Sequence, residues 1–106
     1  MATMNNKATK EDVIKLINSI LSRGQNSYNG MIMASLFERE LHESMYGSSY
    51  NDMLADRAER LERISDVLAR LADDSISLND AVYEVYTAYP WAQGMIDAWE
   101  CNYTTA

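Results

Sequence analysis

Apolar residues recur every three or four positions along most of this chain, a period that predicts amphipathic α-helices. The clearest stretch runs from about Tyr50 to Ala72. Its apolar stripe comprises Leu54, Ala58, Leu61, Ile64, Leu68 and Leu71. Because no stretch alternates apolar and polar residues over the length of a strand, we expect no β-sheet. The pattern therefore predicts an all-α fold.

Three helix starts are marked by a hydroxyl residue that is followed three positions later by an aspartate. The pairs are Thr9 with Asp12, Ser49 with Asp52, and Ser77 with Asp80. A hydroxyl at such a position accepts a hydrogen bond from a backbone N–H that lacks a helical partner, and the acid favours the positive end of the helix dipole. Each pair stands directly before an apolar helical stripe, so we expect a helix to start at each.

Two helices are predicted in the first half of the chain. We expect the first from about Lys10 to Arg23, with Gly24 just past its end and a loop over residues 25–30. We expect the second from about Met31 to Tyr46, ended by the break at residues 47–49. Its apolar residues point in more than one direction, which predicts that the helix is covered on two sides. One side carries Met33, Phe37, Leu41 and Met45, while Ile32 and Leu36 point elsewhere.

The last third predicts a fourth helix from about Leu78 to Tyr89 and, after Pro90, a short fifth helix from Trp91 to Glu100. The expected architecture is one compact domain of four to five helices, bundle-like or orthogonal, around a long central third helix. We expect a flexible N-terminus over residues 1–8, the helical domain over residues 9–101 and a C-terminal tail over residues 102–106.

Composition narrows the classes of function. With 106 residues and 47% hydrophobic residues, the chain can build one core. Nine Lys and Arg against sixteen Asp and Glu give a net charge of −7, which disfavours direct binding to nucleic acid or to a membrane. The single cysteine cannot form an internal disulfide, and no apolar run of membrane-spanning length is present, so we expect a cytoplasmic protein.

No catalytic constellation is recognisable. His42 has no second histidine at metal-ligand spacing and no nucleophile beside it, and we expect it to be solvated near Glu38. Cys101 stands among polar residues near the C-terminus, where an idle thiol is expected. The sequence predicts no enzyme activity, no metal and no cofactor. A hydrolase or metal enzyme built from acids that meet only in the folded chain stays open as an alternative.

Charge is distributed unevenly along the chain. Residues 71–106 contain six acids and no Lys or Arg, and they also hold six of the ten aromatic residues. Carboxylates and tyrosine rings together suit Arg or Lys side chains, through charged hydrogen bonds and cation–π attraction. The predicted partner-binding residues are Asp73, Asp74, Asp80, Tyr83, Glu84, Tyr86, Asp97 and Glu100.

These observations predict a non-catalytic protein-interaction module that docks an acidic and aromatic face on a basic partner surface and modulates or inhibits that partner. A narrower hypothesis is that the partner is a nucleic-acid-binding protein or complex, so that the carboxylates imitate phosphates, as in viral anti-defence inhibitors. Two plainer interpretations stay open. The acids and rings serve only solubility and the core, or the chain is a structural protein that forms a homodimer or larger oligomer through Ile32, Leu36 and Trp99.

Overall fold

Each of the four longer helices begins at a serine or threonine whose side-chain oxygen accepts a hydrogen bond from a backbone N–H three residues later. The computed structural model describes residues 6–105. The helices are α1 (Lys10–Ile32) after Thr9, α2 (Leu36–Tyr46) after Ser35, α3 (Tyr50–Ala72) after Ser49 and α4 (Leu78–Ala88) after Ser77. The three predicted starts are confirmed. The fourth start, at Ser35, also has an acid three positions later, Glu38.

Pro90 divides the last helical region, as the sequence predicts. A proline disfavours helical backbone in the residue before it, and Tyr89 accordingly leaves the helical conformation, so α4 ends at Ala88. A single 3-10 turn spans Pro90–Ala92, and helix α5 spans Gln93–Glu100. The predicted fifth helix is therefore present, with its first residues in a tighter turn.

A short parallel strand pair joins the two ends of the described chain, where the sequence predicts no strand. Strand β1 (Asn6–Lys7) pairs with β2 (Tyr103–Thr104). The backbone N–H of Ala8 donates to the carbonyl of Thr104 at 2.8 Å. Two-residue strands carry no readable alternation, which is why the pattern misses them. The pair joins the segments predicted to be a flexible N-terminus and a C-terminal tail; residues 1–5 and 106 of those segments lie outside the described residues.

The core lies between α1, α3 and α4, and α5 closes one side of it. Its buried side chains include Val13, Leu16, Ile17 and Ile20 of α1, Leu61, Ile64, Val67 and Leu71 of α3, Ala81, Val82 and Val85 of α4, and Ile96 of α5. These residues recur at helical spacing, so burial of one stripe per helix is the main stabilising contribution. Over residues 6–105, the all-α, single-domain fold with five helices is confirmed.

The predicted end of the first helix is wrong, because Gly24 lies inside α1. The helix continues through Gly24 and through the predicted loop of residues 25–30 to Ile32. A Cβ atom at position 24 would lie 2.5 Å from Cδ2 of Leu61 and 3.0 Å from the hydroxyl of Tyr89. Gly24 therefore allows close packing of α1 on α3 instead of ending the helix. At 23 residues each, α1 and α3 are equally long, so the third helix is not the longest alone.

The predicted coverage of the second helix is also wrong. Helix α2 begins at Leu36 instead of Met31, and it contains no buried residue. All six apolar residues that the sequence assigns to covered sides are exposed, namely Ile32, Met33, Leu36, Phe37, Leu41 and Met45. The radius of gyration, 16.3 Å, exceeds the ~13 Å usual for a compact chain of this length. The molecule is therefore elongated.

Candidate protein-interaction site

Four of the eight predicted partner-binding residues line one open cleft between α4 and α5. Tyr83 and Tyr86 reach it from α4, while Asp97 and Glu100 reach it from α5. The cleft has a volume of about 340 Å³, and Asn79, Val82 and Thr105 complete its lining. Tyr83 and Tyr86 stand three positions apart on one helix, and so do Asp97 and Glu100, which is why each pair faces the same way.

The two tyrosines of this cleft differ in exposure. The Tyr83 side chain is 65% exposed, whereas Tyr86 is half-buried and packs against the core. The charge of the Asp97 carboxylate raises the pKa of the Tyr86 hydroxyl, and partial burial of the ring acts in the same direction. A hydrogen bond between the Tyr86 side chain and Asp97 also raises this pKa, so the hydroxyl stays protonated at neutral pH.

No Lys or Arg is among the described residues that line this cleft. Two aromatic rings and two carboxylates thus share one concave surface without a neighbouring cation in its wall. Such a surface can accept a guanidinium or an ammonium group, because the carboxylates accept charged hydrogen bonds and the ring faces attract cations. We name Tyr83, Tyr86, Asp97 and Glu100 the acidic cleft.

The other four predicted site residues lie outside the acidic cleft. Asp80 is exposed in the first turn of α4, where its backbone N–H donates to Ser77. Glu84 is on α4 but turns toward α3, where both of its carboxylate oxygens accept hydrogen bonds from Arg70. This pairing lowers the pKa of Glu84. Glu84 therefore belongs to the contact between α3 and α4.

Asp73 and Asp74 form the turn that follows α3. The backbone N–H of Ser75 donates to the Asp73 carboxylate at 3.0 Å, and hydrogen bonds from Ser75 lower the pKa of Asp73. Lys10 of α1 donates to the Asp74 carboxylate at 2.9 Å. The expectation of unopposed negative charge over the last third is therefore wrong for Asp74 and Glu84, because bases distant in sequence reach them in the folded chain.

The structure corrects the expected environment of His42 and describes that of Cys101. His42 is half-buried, with its ring centroid 4.7 Å from that of Tyr46 and 5.3 Å from that of Tyr50, so it is not solvated beside Glu38. Cys101 is exposed, and its thiol donates to the backbone carbonyl of Asp97 at 3.4 Å. Within residues 6–105, no group of three or more His, Cys, Asp or Glu side chains could hold a metal ion.

A second cleft, of about 580 Å³, lies where α1, α3 and the 3-10 turn meet, and the sequence reasoning does not find it. The Arg57 guanidinium lies 3.5 Å from the centroid of the Trp91 ring and covers its face. Arg23, Tyr89 and Met95 also line this cleft. Arg60, Arg63 and Arg70 each follow an acid by four positions, whereas Arg57 follows Met53, a property that it shares with other arginines of the chain and that does not single it out.

The three residues of the predicted self-association face do not form one surface. Ile32 ends α1 and Leu36 begins α2, and both are exposed. Trp99 of α5 stacks on Tyr103 with ring centroids 4.8 Å apart, and it faces the N-terminal half of α1 near Lys15. Because a helix rises 1.5 Å per residue, Trp99 lies roughly 20 Å or more from Ile32.

Within the described residues, no helix combines the length and the apolar character needed to cross a membrane. Comparison of this chain with protein-family models, with curated proteins and with solved structures finds no significant match.

Proposed function

We propose that this chain is a non-catalytic protein-interaction module that binds a basic protein surface through the acidic cleft and modulates or inhibits the partner. The observation that carries the proposal is the convergence of Tyr83, Tyr86, Asp97 and Glu100 on one concave surface whose described lining contains no base. An Arg or Lys side chain of the partner enters between the rings and the carboxylates.

The chemistry of the cleft favours arginine over lysine. A guanidinium is planar, stacks on a tyrosine ring and donates to two carboxylates at once, whereas an ammonium is a compact point charge. Tyr83 is exposed enough to lie against a guanidinium, as Arg57 already lies against Trp91 in the same molecule. The net charge of −7 attracts a basic partner from a distance and speeds the encounter.

The narrower hypothesis is inhibition by nucleic-acid mimicry, and its support is weaker. Carboxylates that imitate a phosphate backbone must be arrayed along a surface, and Asp74 and Glu84 instead pair with Lys10 and Arg70. Within residues 6–105, Asp73, Asp80 and Asp97 take no part in an ion pair, and the mimicry hypothesis depends on these carboxylates.

Isothermal titration calorimetry tests the proposal. The protein is titrated with a short arginine-rich peptide that lacks apolar residues, and the dissociation constant is measured. We expect Asp97→Asn with Glu100→Gln to weaken binding by about tenfold at low salt, because two charged hydrogen-bond acceptors are removed. The control, Glu11→Gln with Glu62→Gln, makes the same change in net charge away from the cleft and is expected to have little effect.

Equal weakening by both double variants would show that only overall charge attracts the peptide and would reject the acidic cleft. Binding that does not decrease between low and high salt would also count against it, because charge pairing at an exposed surface is screened.

A further inference from the structure

Helix α2 turns its polar side toward the rest of the protein and its apolar side toward solvent. Arg39, His42 and Glu43 are half-buried. Leu36 and Phe37 are each 73% exposed, and Met45 is 67% exposed. This orientation is opposite to that of a helix packed on its own core, where the apolar stripe is the covered one.

Specific polar contacts hold α2 in this orientation. The Arg39 guanidinium donates to the carbonyl oxygens of Ile32, at the end of α1, and of Ala34 just after it. It also lies 5.0 Å from the Tyr50 ring centroid. The Glu43 carboxylate accepts from the backbone N–H of Tyr50 at 3.3 Å. The apolar side therefore faces outward because the polar side is the one that fits the junction of α1 and α3.

Tyr50 is the buried point on which these contacts converge. Its ring is 7% exposed, and its hydroxyl donates to the carbonyl of Met31 at 2.7 Å. The ring of His42 packs edge-on against it, with centroids 5.3 Å apart. Tyr50 thus joins the end of α1, the start of α3 and the polar side of α2.

The outward side of α2 is a stripe of large apolar residues. Phe37, Leu41 and Met45 recur at four-residue spacing and so lie on one side of the helix. Met33, in the turn before α2, is 84% exposed. We name Met33, Phe37, Leu41 and Met45 the α2 face. An apolar stripe left in water marks an interaction surface, since an 11-residue helix takes most of its stability from covering such a stripe.

The charges beside the stripe indicate what covers it. Glu38 and Glu40 border the α2 face on opposite sides, and neither makes an ion pair within residues 6–105. If two copies of this chain paired through α2, carboxylates would meet carboxylates in a parallel and in an antiparallel arrangement alike. Two molecules of net charge −7 also repel each other. A second copy is therefore the poorer occupant.

We propose that the α2 face binds an amphipathic helix of another protein, whose apolar stripe is bordered on both sides by Lys or Arg. Phe37 and Leu41 are the central contacts, and Glu38 and Glu40 pair with the bordering bases. This proposal does not depend on the acidic cleft, since none of the residues of the α2 face lines that cleft.

The test uses two synthetic helical peptides that share one leucine stripe and differ in the bordering residues, lysine in one and glutamate in the other. Binding is measured by fluorescence anisotropy and located by chemical-shift changes in the ¹⁵N spectrum of the protein. We expect the lysine peptide to bind on the order of ten times more tightly at low salt. The largest shifts are expected over residues 33–46.

Two variants and a control complete the test. Phe37→Ala with Leu41→Ala should weaken binding of the lysine peptide by about tenfold or more, while the helical circular-dichroism signal stays unchanged, because both side chains are exposed. Trp91→Ala removes an exposed ring outside both the α2 face and the acidic cleft, and it should leave peptide binding unchanged. Glu38→Lys with Glu40→Lys should reverse the preference and favour the glutamate peptide.

Three results would overturn the proposal. Equal affinity for the two peptides would show that the α2 face does not recognise basic residues beside the apolar stripe of its partner. Chemical-shift changes confined to the acidic cleft, together with loss of binding in Tyr83→Ala, would show that the peptide binds at the acidic cleft and not at the α2 face. Sedimentation that shows a dimer of this chain, dissociated by Phe37→Ala with Leu41→Ala, would assign the α2 face to a second copy.

Discussion

Helices α2 and α4 are alike in sequence pattern and opposite in surroundings. Each has eleven residues, and each begins after a serine that is followed three positions later by an acid. Helix α4 buries Ala81, Val82 and Val85 against α1 and α3, whereas α2 buries nothing. The period of apolar residues thus specifies an amphipathic helix in both places, but it does not specify whether the same chain supplies the cover.

Chain connectivity explains the difference between these two helices. The carbonyl of Met31, near the end of α1, accepts from the hydroxyl of Tyr50, at the start of α3, so α1 and α3 meet at these ends. Helix α2 is the connection between them and lies beyond the end of the pair. Helix α4 follows the opposite end of α3 and returns along it, as the bond between Arg60 and the carbonyl of Ala88 shows.

The largest contrast in stability is expected when a carboxylate is placed in the apolar stripe of α4 and, separately, in that of α2. Val85→Glu should lower the free energy of unfolding by more than about 4 kcal/mol, because it buries a charge with no partner in the core. Leu41→Glu should change it by no more than about 0.5 kcal/mol. Chemical denaturation of both variants measures the two values. A large loss in Leu41→Glu would mean that α2 is covered within the monomer.

A second contrast lies along α1, between a glycine in its packed part and an exposed glycine near its end. Gly24→Val should cost about 2 kcal/mol of unfolding free energy, because the added atoms meet buried Leu61 and the hydroxyl of Tyr89. Gly30→Ala meets nothing within 4 Å and should instead gain up to about 1 kcal/mol from helix propensity. Thermal melts of the two variants check the sign of each change. A neutral Gly24→Val would contradict the close approach of α1 and α3.

The smallest contrast is between Glu84 of α4 and Glu40 of α2, in how much each contributes to the dependence of stability on pH. Arg70 lowers the pKa of Glu84 in the folded state below its ordinary value of 4.5, so this pair adds stability above pH 4.5 that is lost as the pH falls through the lowered value. The expected contribution is only about 0.5 kcal/mol, since water screens the half-exposed pair. Glu84→Gln should therefore flatten the acid side of a stability profile measured from pH 3 to 7.

Glu40→Gln is the matched control on α2, because Glu40 has no ion-pair partner within residues 6–105. It should leave the acid side of the profile as it is in the unaltered protein. If both variants flatten the profile equally, overall charge and not the Arg70 pair governs the acid response.

Local signals in the sequence account for much of the fold. The hydroxyl caps at Thr9, Ser49 and Ser77 act through backbone groups within three residues, so a reader of the sequence can recognise them. The same is true of the stop at Pro90. Gly24 has two opposite meanings, the end of a helix or the close approach of another helix, and only the position of Leu61 decides between them.

The candidate site was predicted only in part, because contacts between residues distant in sequence decide which acids are paired. Helical spacing brings Tyr83 near Tyr86 and Asp97 near Glu100, and the sequence also indicates that both pairs lie on the last two helices. It does not reveal that Arg70 pairs with Glu84, 14 residues later, or that Lys10 pairs with Asp74, 64 residues later. Counting charges along a sequence overlooks pairs that form only after folding. Whether the acidic cleft binds a partner stays a prediction.

The parallel pairing of Asn6 with Tyr103 and of Lys7 with Thr104 makes the backbone almost a ring. A short peptide bridge could close that ring, and the chain could then be opened at a different turn without separating the core helices. Opening it at Ser48, between α2 and α3, would leave α2 tethered at one end only. In such a rearranged protein, the stability of the core could be measured independently of how firmly α2 is held in place.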